Sequence, residues 1–372
     1  MIDRDRLLDT FLSLVAIDSI SRSERALAAA VRSELEAAGC SLAEDQAGAA
    51  IGGESGNLVA RLQGTTDAPA LLLNAHMDTV EPGRGVKARV AGNIVTSDGT
   101  TILGADDKAG VAVIIEVVRA LRESDAPRPP IEILLTVSEE IGLLGAKNLD
   151  YSLITAGLGF VLDGDGPVGG ITISAPSHDS IRAAITGRGA HAGVEPEKGV
   201  NAIKIAADAI AGMRLGRIDE ETTANVGTIS GGRASNIVPD RVEIWAEARS
   251  RDAAKLRRHT RHMVGRLQRA ARRLGGECAV EVNREYEAYS LYTEQPPVST
   301  AADAMRSLGI EPRFQPSGGG SDSNIFNARG IRTAVLSIGA ENPHTTAESI
   351  DIEQLELVAR LMVAIAERAA SA

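Results

Sequence analysis

Aromatic side chains are scarce in this sequence: Phe, Tyr and Trp make up 2% of its 372 residues, with a single Trp. Few platforms exist for stacking bases or sugar rings, and the core must be assembled from Ala, Val, Ile and Leu. Cysteine is scarcer still. Cys40 and Cys278 are the only two, and no CxxC pair occurs, which argues against a disulfide framework or a thiolate zinc site and fits a reducing compartment. Positive charge is in deficit, with 39 Lys and Arg against 50 Asp and Glu and a net charge of −11. Nucleic acid and anionic membranes are poor partners for such a surface. No apolar run reaches the roughly 20 residues that span a bilayer, and the charged start Met1-Ile2-Asp3-Arg4-Asp5-Arg6 is not an apolar leader. The expectation is a soluble, cytoplasmic protein.

What is present suggests two domains, because the chain exceeds the size at which one core usually stops growing. Residues 3–15 carry apolar side chains at helical spacing, and Ser21 with Glu24 has the form of a capping box for a second helix ending near Gly39. Short apolar runs follow at 57–62, 70–75, 131–137 and 158–162, with a helical pattern at 109–121. Continuous apolar strands separated by helices indicate an α/β fold with a mostly parallel central sheet covered by helices. The segment 178–290 differs, with a strand, helix, strand, strand, helix, strand order that matches a ferredoxin-like α+β unit. The expected organisation is a discontinuous catalytic domain, residues 1–177 and 291–372, with a lid or dimerisation domain, residues 178–290, inserted.

Chemistry gathers where apolar strands end. The run Leu71-Leu72-Leu73-Asn74-Ala75 leads into His76-Met77-Asp78, where alternate residues point the same way and Asp78 can accept the second ring N–H of His76. Such a pair is also common as a surface hydrogen bond. Asp106-Asp107 precedes a helix and on its own reads first as an N-cap with a dipole-favourable acid, and only second as a bridging carboxylate. Glu139-Glu140 ends the next apolar strand, and two adjacent carboxylates there repel unless a cation intervenes. Asp163 ends a third strand, and His344 follows a fourth. Two His and at least three acids at one sheet edge form a candidate metal site at the place where open α/β sheets bind ligands. The mixed donor set suits Zn²⁺, with Co²⁺ or Mn²⁺ as alternatives. His259 and His262 on the basic helix 252–274 sit among arginines and are not read as ligands. The loop Ser317-Gly318-Gly319-Gly320-Ser321-Asp322 reads either as a flexible turn or, with Asp322 following near the sheet edge, as lining the substrate through Gly319 and Asp322.

These motifs, with Gly187-Arg188-Gly189-Ala190-His191-Ala192-Gly193 between them, resemble the co-catalytic zinc aminoacylase/carboxypeptidase family, and its peptidase T-like branch in particular. The resemblance implies a metallopeptidase with two zinc ions per subunit and a short peptide substrate. Asp106 would bridge the ions, His76 and Asp163 would complete one, and Glu140 and His344 the other. Glu139 would be the general base toward a hydroxide held between the ions, and Asp78 the orienter of His76. The family also carries a cis Asp-Asp peptide, expected here at Asp106–Asp107. His191 would steady the oxyanion, and Asn236 and Arg249 would hold the polar end of the substrate, although Glu247-Ala248-Arg249 stands where many relatives have Asp-x-Arg. A homodimer through the lid is implied too. The alternative activity on the same scaffold is an N-acyl-amino-acid amidohydrolase or carboxypeptidase.

Overall fold

In the computed structural model, which describes residues 1–370, four apolar runs lie side by side as parallel strands. They are, in spatial order, Ile131–Thr136, Leu71–His76, Leu158–Gly164 and Arg332–Ser337. Every residue of Ile131–Thr136 and Leu71–His76 is buried, which is why these strands read as continuous apolar runs rather than alternations. Antiparallel neighbours flank the four, with Leu58–Leu62 and Ser41–Glu44 on one side and Gly170–Ala175 on the other. The expected α/β sheet is therefore parallel at its centre and antiparallel at its edges. The helices Arg4–Val15, Ala105–Glu123 and Ile352–Ala369 bury Phe11, Val111, Ile114, Ile115, Val118, Leu355, Val358 and Leu361 in one core with the sheet. Phe11 and Phe160 are the aromatic members of that core.

Gly110 lets the helix Ala105–Glu123 approach the sheet. A Cβ there would lie 2.3 Å from Asp107 Oδ1 and 2.5 Å from the Leu162 carbonyl oxygen. The helix Arg25–Ala37 starts differently from its sequence pattern. Glu24 occupies the N-cap without a capping bond. Ser21 Oγ instead donates to Asp78 Oδ2 at 2.6 Å, and Glu24 Oε1 accepts from Arg22 N, Ser138 N and Ser138 Oγ. The apparent capping box is thus drawn away from its own helix by stronger partners near the sheet edge.

The chain divides into two units, one of residues 1–173, 290–316 and 321–372, the other of 174–289 and 317–320. Among the described residues the second unit has an antiparallel sheet with strands ordered Gly216–Arg217, Thr222–Gly231, Arg241–Ser250, Ser177–Thr186 and Glu277–Tyr286. Ile181, Ala183 and Ile185 alternate inward and pack with Ala202, Ile205 and Ala206 of the helix Ala202–Ala211 and with Leu256, Met263 and Leu267 of Ala253–Arg273. His259 joins the buried face of that long helix, with its Nε2 3.0 Å from the Arg214 carbonyl oxygen.

Candidate metal centre

The carboxyl ends of the parallel strands collect the acidic and imidazole groups. Leu71–His76 ends in His76, Glu139 and Glu140 follow Ile131–Thr136, and Asp163 lies near the end of Leu158–Gly164. Asp106 lies at the start of Ala105–Glu123, where it and Asp107 have non-helical backbone angles and are joined by a cis peptide bond. Asp107 caps the helix proper, its Oδ1 accepting from Gly110 N at 3.2 Å. His344 occupies the tip between the paired strands Ala340–Glu341 and Ser349–Asp351, in the left-handed region at φ 62°. A non-glycine residue there is uncommon and is held by its surroundings.

Asp106 is the centre of the arrangement. Its Oδ1 lies 3.0 Å from His76 Nε2, and its Oδ2 lies 3.3 Å from His344 Nε2. Asp163 Oδ1 stands 3.7 Å from His76 Nε2, and Glu140 Oε1 stands 2.9 Å from His344 Nε2. One imidazole and one further carboxylate therefore attend each oxygen of Asp106. His76, Asp106 and Glu140 bring donor atoms within 4.8 Å of one another, and so do His76, Asp107 and Asp163. Asp107 is the least suited of these to a metal, because its oxygens accept from His76 N at 3.1 Å and from Gly110 N. Its work is to hold the His76 strand against the Asp106 turn.

Asp78 lies against His76 as expected but has further partners. His76 Nδ1 meets the main-chain carbonyl of Asp78 at 2.9 Å, whereas the nearest carboxylate oxygen is 3.5 Å away. The carboxylate itself accepts from Glu139 N at 2.8 Å, Glu140 N at 3.2 Å and Ser21 Oγ. The Asp78 main chain fixes the His76 ring with Nε2 free to ligate, and its side chain fixes the turn that carries the two glutamates. That turn begins at Ser138, also left-handed at φ 52°, which Glu24 grips at both its N–H and its hydroxyl.

Electrostatics mark the same groups. Burial pushes Glu139 well above the usual carboxylate range; His76 opposes this, while Asp163, Asp322 and Glu140 add to it. Asp163 is raised to about 7 by burial, with Asp106 and Glu140 adding to the push against its bond to His76. For Asp106, burial is outweighed by its bonds to His344 and His76, and its carboxyl is held below its ordinary range. Hydrogen bonds to Asp106 and Glu140 raise His344 to about 10. Four carboxylates converging on two imidazoles leave an excess of negative charge that protons or cations must balance. The donor set, of imidazole nitrogens and carboxylate oxygens paired across one shared carboxylate, fits two divalent cations.

Asp322 departs from its expected place on the substrate. It is 1% exposed, and its Oδ2 accepts from Thr136 Oγ1 at 2.5 Å at the end of a central strand. Its Oδ1 has no hydrogen-bond partner among the described residues, and burial raises its pKa to about 6. Asp322 is a buried charge beneath the sheet edge rather than a lining group. The other expected substrate residues lie in the second unit. His191 pairs with Ile237 in an isolated bridge, Asn236 O accepts from Ala192 N at 2.9 Å, and these contacts set the two loops together. Arg249 donates to Glu247 Oε2 at 3.0 Å, and Gly319 N donates to Ser317 Oγ at 3.0 Å. Sequence reasoning missed the supporting roles of Glu24 and Asp107, buried carboxylates that accept from backbone N–H groups, and of Ser21, whose hydroxyl donates to Asp78.

The chain is similar to known proteins over most of its length. Residues 72–368 match the profile of Peptidase family M20/M25/M40. The aminopeptidase PepT of Bacillus cereus ATCC 10987 shares 44% identity and superposes with a TM-score of 0.90 over 99% of both chains. A tripeptidase from Staphylococcus aureus shares 40% identity with a TM-score of 0.95 over 100% of both chains. Peptidase T of Escherichia fergusonii is 30% identical over 278 residues, 74% of this chain and 67% of that one. This chain belongs to peptidase family M20/M25/M40.

Proposed function

We propose that this protein is a zinc-dependent aminopeptidase that trims single residues from the amino end of short peptides, tripeptides foremost. The observation that carries this is Asp106 placed between two imidazoles, one to each of its oxygens, at 3.0 and 3.3 Å. In the proposed assignment, His76 and Asp163 would hold one ion and Glu140 and His344 the other, with Asp106 available to both. Two such ions supply Lewis acidity, lowering the pKa of water and polarising the scissile carbonyl. Glu139 then works as the proton carrier. Its buried carboxylate takes a proton from the attacking water and returns it to the leaving amine. Asp78 keeps that carboxylate in place through the Glu139 amide. His191, Asn236, Arg249 and Gly319 are assigned to the substrate, with His191 steadying the oxyanion.

A cytoplasmic setting is supported by the two free cysteines, Cys40 and Cys278. A homodimer through the second unit is supported by the exposed apolar residues Ile229, Trp245 and Val282 on three strands of its sheet. The test of activity is digestion of tri-alanine by zinc-replete protein, with product mass spectrometry. Free alanine and the dipeptide left from the carboxyl end are expected. Absence of turnover on any short peptide refutes the assignment. Hydrolysis of acetyl- or formyl-amino acids with none of free-amine peptides makes the protein an amidohydrolase instead.

A further inference from the structure

We propose that Glu348 is a positioning residue for the paired-metal site, acting through Asp106; this rests on the two-metal assignment above. The loop 342–348 joins the strands Ala340–Glu341 and Ser349–Asp351, carrying His344 near its start and Glu348 at its end. Glu348 is 1% exposed. Its Oε2 accepts from Leu103 N at 2.8 Å and Gly104 N at 2.7 Å, and its Oε1 accepts from Asp106 N at 3.0 Å. Gly104, left-handed at φ 78°, turns this stretch so that the amides face one carboxylate. Nothing in the proposed chemistry uses Glu348, yet it is buried with a full set of charge-assisted bonds to the segment that delivers Asp106.

The consequence is mechanical. His344 and the backbone of Asp106 come from distant parts of the chain, and Glu348 ties one loop to the other. The Asp106 carboxylate must address two positions at once, so a small rotation of its backbone would favour one position at the expense of the other. Three bonds to a buried anion suppress that rotation. The same loop is tied internally, with Glu348 N donating to Thr345 O at 3.1 Å and Thr345 Oγ1 donating to Asn342 O at 2.8 Å. The buried ammonium of Lys108, which donates to Ile17 O at 2.6 Å, lies close enough to attract the Glu348 charge. Outer groups that orient metal ligands typically contribute about 10–100-fold to metal affinity or activity.

The test uses full-length metal-free protein titrated with Zn²⁺ against a chromophoric chelator, with thermal melting recorded alongside. Glu348→Gln keeps the size of the side chain but turns one acceptor into an N–H₂ facing an amide N–H. Glu132→Gln is the control. Glu132 is also buried and accepts from Thr155 N and Ala156 N, both at 2.9 Å, but it lies at the opposite end of its strand from the site. Zinc binding should weaken about 10–100-fold in Glu348→Gln and stay unchanged in Glu132→Gln, even where both variants melt lower. In an Asp106→Asn background, Glu348→Gln should add little, because residues acting as one unit are non-additive. Equal zinc affinity in wild type and Glu348→Gln, an equal loss in Glu132→Gln, or full additivity with Asp106→Asn each overturns the proposal. If Glu348→Gln does not fold, Glu348→Asp keeps the charge with a shorter reach, and undiminished zinc affinity in that variant overturns it as well. Wild-type protein that binds no zinc removes the two-metal assignment itself, and this inference with it.

Discussion

Replacing Asp78 by Asn separates two accounts of how His76 and the glutamate pair are held. If the carboxylate orients the imidazole, Asp78→Asn should cost about 10–100-fold in metal affinity, as outer-layer substitutions do. The geometry points elsewhere. His76 Nδ1 is 2.9 Å from the Asp78 main-chain oxygen, which the substitution leaves in place. The side chain serves Glu139 N at 2.8 Å, Glu140 N at 3.2 Å and Ser21 Oγ at 2.6 Å. Asn keeps one acceptor oxygen and presents an N–H₂ to the remaining donors, leaving at least one buried amide unsatisfied at about 1–3 kcal/mol. That loss falls on the turn after Ser138, which is already left-handed. A displacement of roughly 1 Å in a catalytic group can cost on the order of 10²-fold in rate. Asp78→Asn should therefore bind zinc within a few-fold of wild type and melt lower, with kcat down about 100-fold and KM little changed. Zinc competition titration, thermal melting and steady-state kinetics on one tripeptide measure all of these. Loss of zinc with kcat per bound metal unchanged would refute the reasoning.

The remaining tests address other parts of the molecule. Glu139→Gln should keep its metal and lose about 10²–10⁴-fold in turnover; loss of zinc in that variant would mean that Glu139 and Glu140 exchange roles. Exhaustive chelation should abolish peptide hydrolysis and lower the melting temperature, and zinc at 100 times its Kd should restore about 2.7 kcal/mol of stability for each ion bound; activity that survives chelation contradicts a metal mechanism. In the second unit, His178 and Arg249 hold Glu247 down to about 2 from an ordinary 4.5. A depressed carboxylate stabilises the fold above its unfolded-state pKa, and that contribution fades as pH falls from about 4.5 toward 2. A carboxyl NMR titration should place the Glu247 midpoint near 2, and His178→Ala should move it upward; a midpoint near 4.5 in wild type removes the interaction.

The sequence made the sheet and the donors legible for one shared reason. A fully buried parallel strand is apolar along most of its length, and a ligand at its end interrupts that run abruptly. Leu71–His76 followed by Asp78, and Ile131–Thr136 followed by Glu139 and Glu140, show both features. The strand–helix order of the second unit was legible because Ile181, Ala183 and Ile185 alternate in burial with their neighbours. Contacts that depend on distant segments were not. Ser21 and Glu24 carry a capping-box spacing, yet their side chains answer to Asp78 and Ser138. Asp322 follows a glycine-rich loop that suggested exposure, but its helix Asp322–Ala328 tucks it under Thr136. Glu348 sits in a short polar stretch with no pattern at all, and only the folded chain shows three amides turned toward it.

The most direct measurement is a crystal structure of the zinc-loaded protein with anomalous scattering recorded at the zinc edge. Two peaks are expected, one on each side of the Asp106 carboxylate, the first within bonding distance of His76 and Asp163 and the second within bonding distance of His344 and Glu140. A single peak, or two peaks that do not share Asp106, would contradict the two-metal site.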